Sequence, residues 1–188
     1  MAGPFHVGRD RWHLAWDATI PPIMEVPSGT EIAFDVLDAS NGTVTPATVA
    51  ADLLTMDLSQ VDQVAGPIAI EGAEPGDALE IEILEVLPAD WGWTAVIPGF
   101  GLLADDFPAP HLRISRIDAT HAEPIPGIRI PIAPFCGELG LASPGPARST
   151  IPPTDSGGNL DTRHLRSEEH TSELQSLAYL VCRLLLQK

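Results

Sequence analysis

The sequence predicts a mainly β protein with a barrel-like or two-sheet arrangement. Three features favour this fold class: short alternating apolar segments recur along the chain, 16 glycines and 19 prolines supply frequent turns, and helical periodicity is scarce. The chain has 188 residues, of which 44% are hydrophobic, and this is enough to bury one core. We therefore expect a globular domain rather than a disordered chain.

The first half of the chain contains the two clearest predicted strands. Residues 31–38 alternate between apolar and mostly polar positions and end at a tight Asn41-Gly42 turn, which leaves Asp38 at the end of the strand. Residues 78–87 alternate in the same way, with a change of phase near Leu84 that is typical of a β-bulge. Between them, residues 45–63 have helical character, and we expect a short helix or two turns there.

An aromatic segment follows the second strand. Trp91 and Trp93 flank one glycine, and Phe100 follows in a Pro-Gly-Phe-Gly stretch. Aromatic rings on a glycine-containing loop suit the wall of a small apolar pocket, although they suit a plug of the core equally well. Two more short strands are predicted at residues 111–117 and 128–132.

Two glycine-containing segments hold the residues best suited to chemistry. Glu138 lies between Gly137 and Gly140, and it is the carboxylate that we most expect to react in this half of the chain. In Gly157-Gly158-Asn159-Leu160-Asp161, paired glycines allow backbone conformations closed to other residues, so Asn159 and Asp161 can lie close together in a cramped loop. With acidic and histidine residues upstream, these segments support a hydrolytic site, with or without a metal.

His13 lies between Trp12 and Trp16 and allows two interpretations. It can bind a ligand or carry a proton, because a histidine changes charge near neutral pH. A histidine among aromatic residues is more often a packed side chain, and the sequence leaves both interpretations open.

The composition argues against several kinds of partner and location. A net charge of −16 argues against nucleic acid and anionic membranes, because phosphate binding needs a basic surface. No apolar run approaches the roughly 20 residues of a membrane span, and the first residues lack the pattern of a secretory signal, so we expect a cytoplasmic protein. The two cysteines, Cys136 and Cys182, do not have metal-ligand spacing.

The last part of the chain differs from the rest. All glycines and prolines precede Arg166, whereas the only lysine, Lys188, and the only tyrosine, Tyr179, follow it. Apolar residues between Leu177 and Leu185 would give a helix an apolar face, so we expect a C-terminal helix. Residues 166–176 also resemble the translation of a sequencing-library adapter. We therefore interpret residues 166–188 as a non-native tail and residues 1–165 as the native portion.

Several segments together resemble the acetamidase/formamidase family of amide hydrolases, over most of residues 12–165. The matching segments are Pro21-Pro22, Gly66-Pro67-Ile68 leading into residues 71–77, Trp91-Gly92-Trp93, Pro98-Gly99-Phe100-Gly101, Pro134-Phe135 with Gly137-Glu138-Leu139-Gly140, and Gly157-Gly158-Asn159-Leu160-Asp161. The resemblance implies a mainly β fold and hydrolysis of short linear amides, such as formamide and acetamide, to an acid and ammonia. It also implies a divalent metal such as zinc, and homo-oligomers of the full-length form.

For amide hydrolysis of this kind, we expect specific roles for four residues. Asp38 and Asp161 would bind the metal, Glu138 would carry the proton to the leaving ammonia, and Asn159 would orient a reacting group by hydrogen bonding. No other cofactor is expected.

The sequence departs from the family pattern after Asp161, where family members continue into further strands with a second site segment. We therefore expect residues 1–165 to be the N-terminal portion of an amidase domain, and this chain to be inactive and prone to aggregate. The alternative is a non-catalytic β-module that binds a small ligand between Trp91, Trp93 and Phe100.

Overall fold

The computed structural model describes residues 5–142 and 145–167 and the backbone of residues 178–187. Two 3₁₀-helices lie at Ala50–Thr55 and Leu58–Gln60. The described strands are β1 (Phe5–Val7), β2 (Trp12–His13), β3 (Ala15–Trp16), β4 (Met24–Val26), β5 (Thr30–Asp35), β6 (Val64–Ala65), β7 (Ile68–Ile70), β8 (Ala78–Pro88), β9 (Trp91–Val96), β10 (His111–Ile117), β11 (His121–Ile125), β12 (Ile128–Pro131), β13 (Glu138–Gly140), β14 (Arg148–Ser149), β15 (Gly157–Asn159) and β16 (Ala178–Gln187).

The strands form two four-stranded sheets and several two-stranded ladders. One large sheet has the order β1-β5-β16-β8, and the other has the order β12-β11-β10-β9. The smaller ladders pair β13 with β15, β14 with β3, β2 with β6, and β4 with β7. The mainly β prediction is confirmed. The prediction allowed a barrel-like or a two-sheet arrangement. The observed topology is closer to two sheets, because the strands in the described ranges do not close into a barrel.

The predicted strands and turns in the first half are confirmed. β5 and β8 occupy the two segments with the clearest alternation, and residues 45–63 contain the two 3₁₀-helices. The bulge expected near Leu84 is present, because Val181 pairs with Glu85 and the next residue, Cys182, pairs with Ile83. The extra residue on β8 accounts for the change of phase in its apolar pattern.

The core lies where β1, β4, β5 and β7 meet. Its buried side chains are Val7, Val26, Ile32, Phe34 and Ile70, and partly buried apolar residues of β7 and β8 pack against them. The parallel pairing of β1 with β5 and of β4 with β7 brings these short strands together. Among the residues that the structure describes, no helix is both long enough and apolar enough to cross a membrane.

The predicted C-terminal helix is wrong for residues 178–187. They form β16, which lies between β5 and β8 and pairs antiparallel with both. A segment that is apolar except for Arg183 and Gln187 fits a central strand as well as a helix, and pairing on both sides outweighs a weak local helical preference. Residues 168–177 of the predicted helix lie outside the described residues.

Candidate active site

A cavity of about 600 Å³ lies beside the core and contains most of the residues expected to react. Its apolar wall comes from β5, β7, β8 and the residues next to them, and its polar wall comes from short strands and loops. The apolar wall comprises Phe34, Val36, Ile68, Ile70, Leu79, Ile81, Ile83 and Val86. The polar wall comprises His13, Asp38, Asp62, Gln63, Glu138, Asn159 and Asp161.

The paired glycines bring Asn159 and Asp161 together as the sequence predicts, and Glu138 lies beside them. Gly157 and Gly158 have φ values of 98° and 116°, which L side chains rarely adopt. A Cβ atom on Gly157 would overlap the carbonyl oxygen of Leu139 on the facing strand. Because the two strands can approach this closely, Glu138 lies directly across the ladder from Asn159.

Asp161 is held beside Glu138 by the same loop. The carbonyl oxygen of Gly137 accepts hydrogen bonds from the backbone N–H of Leu160 at 2.9 Å and of Asp161 at 3.1 Å. Asp161 itself has a φ of 43°, in the left-handed region that Asp adopts more readily than most residues. The chain therefore turns sharply after Asn159 and returns to the segment that carries Glu138.

Glu138 is a half-buried acid with an unusual charge environment. Its two carboxylate oxygens are covered, and neither has a hydrogen-bond partner in the described part of the chain. Burial raises the pKa of Glu138 to about 9, and the negative charges of Asp62 and Asp161 add to this effect. At neutral pH Glu138 therefore holds a proton that it can donate.

Asp62 belongs to the polar wall and was not found by sequence reasoning. Its backbone N–H donates to the carbonyl oxygen of Ala39 at 2.8 Å, and the adjacent Gln63 donates through Nε2 to the carbonyl oxygen of Asp38 at 2.9 Å. Burial raises the pKa of Asp62, and Asp161 raises it further. No glycine or proline marks this position, so no local signal in the sequence would have identified it.

Asp38 is buried and its carboxylate accepts several hydrogen bonds. Oδ2 accepts from Ser40 Oγ at 2.7 Å and from Trp93 Nε1 at 2.5 Å, while Oδ1 accepts from the backbone N–H of Gly42 at 2.9 Å. These bonds fix the turn after β5 and attach it to β9. The role of Asp38 as a metal ligand stays a prediction, and its oxygens already serve three donors.

The three predicted pocket aromatics are not brought together around the cavity. Phe100 lies on its wall, with 66% of its surface exposed. Trp91 and Trp93 belong to β9, pair with β10, and are absent from the cavity lining formed by the described ranges. Their role in binding a substrate stays a prediction.

His13 is both packed and placed at the cavity. Its ring contacts Trp16 edge-on, with 6.1 Å between the ring centroids and 82° between the planes, and both residues line the cavity. Burial lowers the pKa of His13, partly offset by a backbone hydrogen bond at Ala15. We therefore expect a neutral imidazole at pH 7, which can accept or donate a hydrogen bond.

The described residues do not show a site for the expected zinc ion. No group of three His, Cys, Asp or Glu within residues 5–142 and 145–167 is arranged to hold a metal. Zinc sites in proteins are built from nitrogen and sulfur ligands with or without a carboxylate, usually three or four in number. Here the wall supplies mainly carboxylates, and those of Asp38 already accept three hydrogen bonds.

Comparison with known proteins gives consistent results. A family model described as the Acetamidase/Formamidase family matches residues 4–146. The chain is 27% identical to a formamidase from Methylophilus methylotrophus, over 81% of this chain and 51% of that protein. It is 29% identical to an acetamidase from Mycolicibacterium smegmatis, over 65% of this chain and 33% of that protein. The chain therefore spans about half of the first relative and about a third of the second.

The fold is also found in solved structures. An acetamidase from Bacillus halodurans superposes with a TM-score of 0.87 at 24% sequence identity, over 98% of this chain and 71% of that chain. At this identity the likeness concerns the fold. Because it covers nearly the whole chain, it extends beyond residue 146, where the family match ends.

Proposed function

The chain belongs to the acetamidase/formamidase family, and from that premise we propose that the protein of which it is part hydrolyses a linear amide to a carboxylic acid and ammonia. The observation that carries the proposal is Glu138 on the wall of the cavity, with its carboxylate covered and with burial and two neighbouring carboxylates raising its pKa. The names of the relatives, formamidase and acetamidase, support this reaction class.

Amide hydrolysis needs a proton for the departing nitrogen, and Glu138 is suited to supply it. An amide anion does not leave without protonation, so an acid near the nitrogen lowers the barrier. Glu138 keeps its proton at neutral pH because burial, Asp62 and Asp161 all oppose its ionisation.

Asn159 and Asp161 would act on the other reacting groups. Asn159 faces Glu138 across the ladder, which supports a role for its amide in orienting the substrate by hydrogen bonds. Asp161 contributes negative charge at the same position and would accept the proton of the attacking water.

The proposed reaction assigns no step to a metal. Zinc binding by Asp38 and Asp161, a cytoplasmic location and homo-oligomers of the full-length form stay predictions.

We also propose that residues 1–165 are the N-terminal portion of the amidase domain and that residues 166–188 are not native to it. The family match ends at residue 146, and the curated relatives are about two to three times as long as the matched region. Resequencing the source gene across the codons for Asp161 to Leu177 tests this boundary. A continued reading frame into a segment with Gly, His and acidic residues would support it, and a genomic tail would contradict it.

Ammonia release from formamide and acetamide tests the reaction. In a full-length version, Glu138→Gln should lower turnover by about 100- to 10,000-fold, the usual contribution of a general acid. Glu25→Gln is the matched control, because Glu25 is exposed on β4 and should leave turnover unchanged. Turnover that is insensitive to Glu138→Gln would reject the assigned acid, and no ammonia from any linear amide would reject the reaction.

The non-catalytic β-module is not favoured. It needs no buried acid, and its ligand was expected between aromatic residues, of which Phe100 alone reaches the cavity. Asp161→Ala in a full-length version separates the two hypotheses. An amidase would lose turnover by orders of magnitude, whereas a binding module would keep its ligand.

A further inference from the structure

We propose that the preferred substrates are primary amides with an apolar acyl chain of several carbons, rather than formamide or acetamide. This inference rests on the proposed function and specifies its substrate class. It follows from the apolar wall that shares one cavity with Glu138 and Asn159.

The apolar wall is a continuous feature of two strands. Leu79, Ile81 and Ile83 alternate along β8, so their side chains lie on one face of the sheet. Ile68 and Ile70 alternate along β7 in the same way. All five line the cavity, and they pack against or belong to the buried core, so the core holds this surface in place.

The polar wall comes from different ladders. His13 lies on β2, Glu138 on β13 and Asn159 on β15, and none of these strands pairs with β7 or β8. The hydrogen-bonding groups and the apolar side chains are therefore supplied by separate parts of the fold. A ligand that fills the cavity would place a polar head against one wall and a hydrocarbon chain against the other.

The size of the cavity agrees with a longer substrate. About 600 Å³ falls within the range of small-molecule sites that enclose ligands of drug size. Formamide and acetamide, with three and four non-hydrogen atoms, would leave most of this space to water beside apolar side chains. Each methylene that moves from water onto such a wall improves affinity by about fourfold.

Binding to the 188-residue chain tests the inference without requiring turnover. Trp12 and Trp16 line the cavity, so their fluorescence reports its occupancy. Formamide, acetamide, butyramide and hexanamide are titrated at pH 7. We expect Kd to fall by about fourfold for each added methylene. 1-Hexanol, which has the same chain length without the amide, should bind more weakly than hexanamide because it leaves the polar wall less fully paired.

A matched pair of variants locates the effect. Leu79→Asn places a polar group on the apolar wall and should reduce the gain per methylene, with folding checked by circular dichroism. Ile130→Asn is the control, because Ile130 is half exposed on β12 in the other large sheet. If both variants lose the gain in affinity per methylene to the same extent, the apolar wall is not the surface that binds the acyl chain.

The unmodified chain also decides the question by itself. A Kd that does not fall with chain length, tighter binding of the short amides, no saturable binding of hexanamide, or equal binding of 1-hexanol would each overturn the inference. These outcomes differ from failure of the proposed function, which is the absence of ammonia release in the full-length version. If binding improves with chain length but no amide is hydrolysed, the proposed reaction is rejected, whereas the apolar wall is still assigned to the hydrocarbon chain of the ligand.

Discussion

Glu138 combines burial, charge repulsion and unpaired oxygens in one side chain. Each of these features is costly in a folded protein, since a buried carboxyl without partners loses its hydration. Such costs are characteristic of functional positions, where a shifted pKa serves the reaction. The surroundings of Glu138 therefore lower the stability of the fold, and they keep this acid protonated near neutral pH.

The raised pKa of Glu138 predicts how stability depends on pH. The unfolded chain ionises Glu138 above about pH 4.5, whereas the folded chain keeps the proton up to about pH 9. The contribution of this group to stability is thus full below pH 4.5 and is lost as pH rises toward 9. Glu138→Gln stays neutral throughout and should lack this loss.

Thermal unfolding at pH 5, 7 and 9 measures this effect. The Tm of Glu138→Gln should rise relative to the unmodified chain as pH increases, whereas the Tm of Glu25→Gln should run parallel to it. A constant difference between Glu138→Gln and the unmodified chain across this range would show that Glu138 ionises normally in the folded state.

At the residue scale, proximity could be predicted where the backbone itself carries the signal. Glycines mark the tight ladder of Glu138 and Asn159 and the turn that leads to Asp161, and the structure brings these residues together, while their roles stay predictions. Asp62 was missed because only the packing of its loop against Ala39 places it there. Proximity that arises from tertiary contacts has no local signature in a sequence.

At the scale of elements, the ladder of β13 and β15 depends on Gly157. Gly157→Ala should destabilise the protein because the new Cβ both requires an unfavourable φ and overlaps the Leu139 carbonyl oxygen. Gly127→Ala is a matched control, since Gly127 also has a positive φ of 81° but has no atom within 4 Å of the added Cβ. The control isolates the backbone cost, about 1–2 kcal/mol.

Urea unfolding of the two variants separates the clash from the backbone strain. We expect Gly157→Ala to lose more free energy of unfolding than Gly127→Ala. Equal losses would mean that the ladder can open to accommodate a side chain, and that the close approach of Glu138 to Asn159 does not depend on glycine.

Strands with an alternating pattern were predicted well, and the C-terminal segment was not. β5 and β8 each have one apolar face, which fixes their period and their burial. The C-terminal segment is so largely apolar that its pattern suits one face of a helix and a strand alike. Its state is decided by the space between β5 and β8, which lie far from it in sequence.

At the scale of the whole molecule, β16 joins two parts of the large sheet. It hydrogen-bonds to β5 on one side and to β8 on the other, and β5 and β8 do not pair with each other. Removing residues 168–188 would leave two neighbouring strand edges without partners. Unpaired edges recruit other chains, so the shortened protein should aggregate or form larger species.

Size-exclusion chromatography with light scattering compares residues 1–167 with the full chain. Val181→Pro is a milder version of the same change, because proline removes one backbone donor inside the ladder that Val181 forms with Ala33 and Glu85. Val181→Pro should lower the unfolding midpoint without removing the strand.

The truncated protein decides between two outcomes. If the 1–167 protein stays monomeric with an unchanged unfolding midpoint, β16 does not hold the sheet together, and the edges of β5 and β8 are stable without it. If it aggregates, the position between β5 and β8 requires a strand, which the rest of an amidase domain would supply in place of this tail.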